Sequence, residues 1–163
     1  MTQKTRIIDK VTIIGAGLGG LAVAIALKQQ GIDVQVYEKA HELRPAGGGL
    51  GLLPNGLNSL EAIKPGLVEM LMKAGSEVKT TLFRNHTGEI IRRGTTKYKE
   101  TYGQPLLSMW WWRLQQVLAS LLPAEVINLN HTCVGFEENE QSVKTYFENG
   151  KTVESDILIG ADG

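Results

Sequence analysis

Apolar positions along this chain follow two periods, and the switches between them mark its elements. Residues 11–14, VTII, are a short apolar, β-branched run that enters a glycine-rich turn, and an Ala- and Leu-rich stretch from Leu18 to Leu27 follows. The first reads as a buried strand and the second as a helix, with Gly31 standing where glycine ends helices. IDVQVYE then alternates into a second strand that closes on Glu38. Beyond a loop, KAHELRPAGGG, lies a short apolar segment, LGLL. Pro54 suits the first turn of a helix whose stripe is Leu57, Leu60 and Ile63; Pro65 with Gly66 breaks it, and LVEMLMKA predicts a second short helix before Gly75.

EVKTTLFRN and EIIRRG flank His86, Thr87 and Gly88 and read as a β-hairpin, whereas TKYKETYGQP is polar and predicts an irregular surface crossing. A helical period returns from Met109 to Leu122, with Leu114, Val117, Leu118 and Leu121 on one face and Pro123 at its end. The remainder is strand-rich: EVINLN, HTCVGFEE, then SVKTYF joined through Asn149 and Gly150 to KTVES, a strong hairpin signal, and finally DILIGADG. The pattern predicts an α/β fold with a Rossmann-like βαβ unit, a parallel sheet and antiparallel hairpins, taken as one dinucleotide-binding domain over residues 1–163.

The turn at the first strand's end carries the chemistry. Gly15, Gly17 and Gly20 are spaced G-x-G-x-x-G between strand and helix. Gly15 permits the tight turn, Gly17 lets a pyrophosphate approach the backbone, and Gly20 lets the helix lie close to the sheet, while the helix N-terminus faces the phosphates. Glu38, about 20 residues on, is placed to accept ribose hydroxyls. The spacing leaves the dinucleotide open, because FAD and NAD share their ADP-ribose part.

Composition narrows the partners. Lys plus Arg and Asp plus Glu both total 17, so no net charge points to nucleic acid or an acidic membrane surface. One cysteine, Cys133, and three scattered histidines, at 41, 86 and 131, leave neither an intramolecular disulfide nor a recognisable metal-ligand spacing. A reducing, cytoplasmic setting is expected. MTQKTRIIDK lacks the apolar core of a signal peptide, because Ile7 and Ile8 meet Asp9 and Lys10, and Leu18–Leu27 is too short to span a bilayer.

The opening fingerprint, the GGGLGLLPNGLNSL segment, Arg113 and the closing DILIGADG together resemble the N-terminal FAD-binding part of the flavin monooxygenases related to para-hydroxybenzoate and salicylate hydroxylases. The resemblance runs from Val11 to the end of the chain. It implies FAD as cofactor, NADH or NADPH as electron donor, and hydroxylation of a small aromatic substrate through a C4a-hydroperoxyflavin, chemistry that belongs to the cofactor and requires no catalytic side-chain constellation. The cofactor-binding residues it implies are Gly15, Gly17, Leu18, Gly20, Glu38, Lys39, Arg44, Gly49, Arg113 and Asp162, with no catalytic residue and no metal ligand. Arg44 corresponds to a loop arginine near the cofactor, Arg113 to a helix arginine on the flavin side, and Asp162 with Gly163 to the start of a DG motif. In that family a substrate segment and a second flavin motif follow the DG motif, so this chain is expected to be truncated, catalytically incomplete alone, and to bind FAD weakly or through its ADP end.

Other readings stay open beside this one. Arg44 and Arg113 also suit a solvated loop and an amphipathic helix, and the glycines at 47, 48, 49 and 51 suit either a flexible loop or a backbone passing close to a flat ring. Asn55 reads as a helix-start residue, and Cys133 as a small buried strand residue. Trp110, Trp111 and Trp112, taken as consecutive on a helix, point about 100° apart, so at least one is exposed and available for packing, for a ligand or for self-association together with strand edges. The alternative functions are a non-catalytic dinucleotide-binding or assembly module and an NAD-dependent dehydrogenase fragment sharing only the βαβ unit.

Overall fold

The computed structural model describes residues 8–163; MTQKTRI, and with it much of the segment read as lacking a signal peptide, lies outside the described residues. In chain order the elements are β1 (Lys10–Ile14), α1 (Leu18–Gln29), β2 (Asp33–Tyr37), β3 (Gly49–Leu52), α2 (Pro54–Ile63), α3 (Leu67–Ala74), β4 (Ser76–Glu77), β5 (Thr80–Arg84), β6 (Ile90–Thr95), α4 (Tyr98–Tyr102), β7 (Leu107–Trp110), α5 (Trp111–Ala119), β8 (Ile127–Asn128), β9 (Cys133–Glu138), β10 (Val143–Phe147), β11 (Thr152–Ser155) and β12 (Ile157–Gly160). They fall into two compact units, one running up to Arg44 and resuming over Leu118–Gly163, the other spanning Pro45–Val117.

The first unit holds a parallel sheet in the order β12-β1-β2-β8. Its central strand β1 is buried on both faces, which is why VTII runs apolar with only Thr12 interrupting it. The crossover helix α1 buries Leu21, Ala24 and Ile25, the spacing of one helical face. Gly31 at φ +78° ends it, its N–H donating to the Lys28 carbonyl. An antiparallel sheet, β11-β10-β9, completes the unit, and Ile14, Tyr37, Phe147 and Val153 form a shared apolar cluster. The Asn149–Gly150 signal marks a real turn of three residues, with Gly150 alone at positive φ and Phe147 N–H donating to the Lys151 carbonyl at 3.0 Å.

The expected strand EVINLN is mostly absent. Residues Ala124–Val126 form a 3-10 turn after Pro123, and only Ile127 and Asn128 pair, with Val36 and Tyr37. Asn130, at φ 59°, then turns the chain away from the sheet.

In the second unit α2 begins with Pro54 in its first turn and buries Leu57, and α3 buries Leu67, Val68 and Leu71, as the sequence predicts. Glu61 holds the turn between them: its carboxylate accepts Gly66 N–H at 2.8 Å and Val68 N–H at 2.9 Å. The Gly66 and then the Val68 hydrogen bond lower its pKa below the usual carboxylate range. A depressed folded pKa stabilises above the unfolded value and is lost as pH falls through the folded one. Glu61→Gln is therefore expected to melt below wild type at neutral pH, with the gap closing as the buffer is acidified; a gap independent of pH in thermal melts would contradict this role.

The β5–β6 hairpin forms around Gly88 at φ +88°. Two expectations are corrected. The predicted helix 109–122 begins at Trp111, because Leu107–Trp110 is a strand, alternately buried and exposed, that pairs with β3 and β4. Trp110, the exposed member of the three tryptophans, therefore ends a strand and does not share a helix with Trp111 and Trp112. The polar stretch expected to be irregular contains the short helix α4, which buries no residue and so carries no apolar stripe to betray it.

Candidate cofactor site

The three fingerprint glycines have different reasons to be glycine. Gly15 stands at φ +104°, and a Cβ there would lie 2.6 Å from the Ala161 carbonyl oxygen and 2.9 Å from Asp162 Cα. At Gly20 a Cβ would run into the carbonyl oxygen of Gly15 and come 3.3 Å from Ala161 Cβ. Both are demanded by the chain's own packing, as β1, α1 and the segment after β12 converge. Gly17 is not: its φ of −69° and ψ of 177° suit any residue, and a Cβ would meet only the Ala161 oxygen, at 3.8 Å.

Gly17 is also the N-cap of the 12-residue helix α1, with no side-chain capping hydrogen bond and no acidic residue in the first turn. The helix thus presents amide donors and the positive end of its dipole beside the one fingerprint position where a side chain would fit sterically. Leu18, half-buried, opens the helix. Asp162, exposed, starts beside the same turn and lines a cavity of about 420 Å³ with Ile14, Leu158 and Gly160. The structure therefore brings Gly15, Gly17, Gly20 and Asp162 together.

Glu38 joins them from the end of β2. Its two oxygens accept Ala16 N–H at 2.8 Å and Ala40 N–H at 2.9 Å, so the carboxylate clasps the glycine turn itself. A carboxylate has about four lone-pair sites, which leaves capacity for further donors. Lys39 and Arg44, both exposed, lie on the segment leaving β2.

In the second unit, Ala46, Gly47, Gly48, Gly49, Leu50 and Trp111 line an open, largely apolar cavity of about 380 Å³. Gly47, at φ +98°, faces Trp111, with a Cβ there falling 3.2 Å from the Trp111 Cβ. Gly48 accepts the Trp111 N–H at 3.0 Å. Gly49 opens β3 opposite Trp110. Arg113 is exposed; its Nη1 donates to Gln116 Oε1 at 3.2 Å, and its guanidinium carbon lies 5.9 Å from the Trp112 ring centroid. The aromatic side chain lining the glycine segment is Trp111, a contact between residues far apart in sequence that spacing did not reveal.

His131 Nδ1 lies 2.6 Å from the Leu129 carbonyl, and its ring packs edge-on against Tyr37 and Phe147. Cys133 is a partly buried residue of β9.

The sequence profile of the family described as "FAD binding domain" matches residues 9–163. The chain belongs to this FAD-binding family. Among similar proteins, 3-amino-4-hydroxybenzoate 2-monooxygenase of Streptomyces cremeus is 34% identical over 157 residues, covering 94% of this chain and 39% of the relative. FAD-dependent urate hydroxylase of Mycolicibacterium vanbaalenii is 36% identical over 158 residues, covering 94% and 40%. The crystal structure of Klebsiella pneumoniae HpxO complexed with FAD and uric acid superposes with a TM-score of 0.84 at 26% identity, over 95% of this chain and 39% of that one. The FAD-binding chain thus spans about two fifths of the length of these relatives. Among its described residues no helix is long and apolar enough to cross a membrane.

Proposed function

We propose that this chain binds FAD with the ADP part at the Gly15–Gly20 turn, and that it is the flavin-holding portion of an NADH- or NADPH-dependent monooxygenase acting on a small aromatic substrate. Gly17 carries the reading. It is a glycine that the fold does not need, at the cap of an uncapped helix, where a pyrophosphate would occupy the space a side chain would fill.

The residues then divide the work. The amides at the start of α1, from Leu18 onward, donate to phosphate oxygens, and Lys39 and Arg44 supply positive charge to the same end. Glu38 accepts ribose hydroxyls on the lone pairs its amide partners leave, and Asp162 contributes a polar contact beside the turn. In the second unit, taken by itself, Gly49 with its glycine neighbours and Trp111 offers an apolar face suited to a flat ring, and Arg113 adds a cation on the same helix as Trp111. Bound FAD supplies the two-electron redox chemistry and the reaction with oxygen. Hydroxylation is assigned to a protein of the relatives' full length, whose remaining part would recognise the substrate and exclude water from the flavin.

Titration of the 163-residue chain with FAD, followed by flavin fluorescence, tests this. FAD is expected to bind and to be displaced by ADP, and any NAD(P)H oxidation by the chain alone is expected to release hydrogen peroxide without hydroxylated product. Binding of NAD with no binding of FAD would overturn the reading in favour of a dehydrogenase.

A further inference from the structure

Glu38 is engaged before any ligand arrives, and its partners indicate a role beyond a ribose contact. The N–H it accepts belongs to Ala16, a fully buried residue between Gly15 and Gly17, 22 residues away in sequence. Gly15 is pinned on the β2 side by its own N–H, which donates to the Tyr37 carbonyl at 2.8 Å. Gly17 is only the helix cap, with dihedrals that many residues adopt, so the Gly15–Ala16 peptide that leads into it needs an anchor if the Gly17 and Leu18 amides are to keep one direction. The Glu38 carboxylate supplies it, and the second bond, to Ala40, fixes the carboxylate in turn. The charge suits such an anchor, because an ionised carboxylate makes stronger bonds to backbone amides than a neutral acceptor, and each bond disperses the negative charge that would otherwise face a phosphate.

We propose that Glu38 is a positioning residue for the phosphate turn, setting the backbone that receives a nucleoside diphosphate whether or not the ligand carries ribose hydroxyls. This rests on the reading that the turn takes a pyrophosphate. If Glu38 acted only through the ribose, removing the hydroxyls from the ligand would remove its influence. If it sets the turn, its influence persists.

The test is calorimetric titration of the full chain with ADP and with 2′,3′-dideoxy-ADP, for wild type, Glu38→Gln and Glu38→Asp. Glutamine keeps the shape but turns one acceptor into a donor, so one of the two amides loses its partner. Loss of a charge-assisted hydrogen bond predicts about tenfold weaker binding of both nucleotides by Glu38→Gln, with unchanged circular dichroism. Glu38→Asp keeps the charge and is expected to rescue part of the loss for both. The amide that loses its partner, Ala16 or Ala40, should exchange about tenfold faster in Glu38→Gln while those of Val11 to Ile14 stay at wild-type rates. Should Glu38→Gln fail to fold, the two nucleotides are compared in Glu38→Asp, where equal losses are expected. Weaker ADP binding with unchanged dideoxy-ADP binding, or unaltered exchange at both Ala16 and Ala40, would overturn the positioning role and leave the FAD reading intact. Failure of wild type to bind either nucleotide would overturn that reading and this inference together.

Discussion

Gly17→Val is expected to abolish FAD binding while leaving the protein folded. The backbone at this position has φ −69° and ψ 177°, an extended conformation open to β-branched residues, and the new Cβ would find only the Ala161 oxygen, at 3.8 Å. The intramolecular cost is that of a poor N-cap in place of glycine, about 1 kcal/mol. The intermolecular cost is larger, because the isopropyl group would stand where the pyrophosphate must meet the first amides of α1. Losing that approach removes several charge-assisted hydrogen bonds at about 1.5–3 kcal/mol each, so affinity should fall at least about a hundredfold. Flavin fluorescence titration beside a thermal melt separates the two costs. A folded valine variant that binds FAD as wild type does would show that the ligand does not need this glycine either and would remove the observation on which the proposed function stands.

The parts of the fold that the sequence exposes are those with local causes. Gly31 after α1, Pro54 at the head of α2, Pro65 with Gly66 between α2 and α3, and Gly88 and Gly150 in their turns each act within a few residues of themselves, and each stands where the spacing places it. The misread stretches have non-local causes or weak patterns. Leu107 to Trp110 alternates buried and exposed, a readable strand signal, but the helical period from Leu114 onward overran it, and pairing with the distant β3 decides the matter. α4 joins Tyr98 to Tyr102 at helical spacing with ring centroids 6.2 Å apart, yet buries nothing, so no stripe marks it. β8 is cut to two residues by a 3-10 turn before it and Asn130 after it.

The site divides along the same line. The G-x-G-x-x-G spacing and the acid after β2 were legible as types and distances. What they do to one another was not, because Glu38 reaching Ala16, and Ala161 with Asp162 closing on Gly15, are contacts between residues far apart in the chain, the first of them across 22 residues. Nor does spacing tell which glycine the fold requires. That distinction needs the neighbours of an absent Cβ, and it reverses the usual weight of the motif: the glycine with the fewest neighbours says most about a ligand.

The complementary experiment is at Gly20, where the largest loss of stability is expected. A Cβ there would occupy the space of the Gly15 carbonyl oxygen, which belongs to the backbone of a buried residue and has no rotamer by which to yield. It would also lie 3.3 Å from the Ala161 Cβ, so the opposite wall is closed as well. Helix α1 must then back away from β1, opening the packing of Leu21, Ala24 and Ile25 that its buried face provides. Overpacking against such a site costs about 3 kcal/mol, which for a chain of this size corresponds to a melting temperature lower by about 10 °C. FAD binding should weaken too, since the shift displaces the amides at the start of α1. Gly19→Ala is the control: a Cβ there has nothing within 4 Å, and alanine favours a helix over glycine by about 1 kcal/mol, so that variant should melt at or slightly above wild type. Equal melting temperatures for Gly20→Ala and Gly19→Ala would mean that α1 can move off the sheet at no cost, and the close contact of helix and turn would then not be what Gly20 secures.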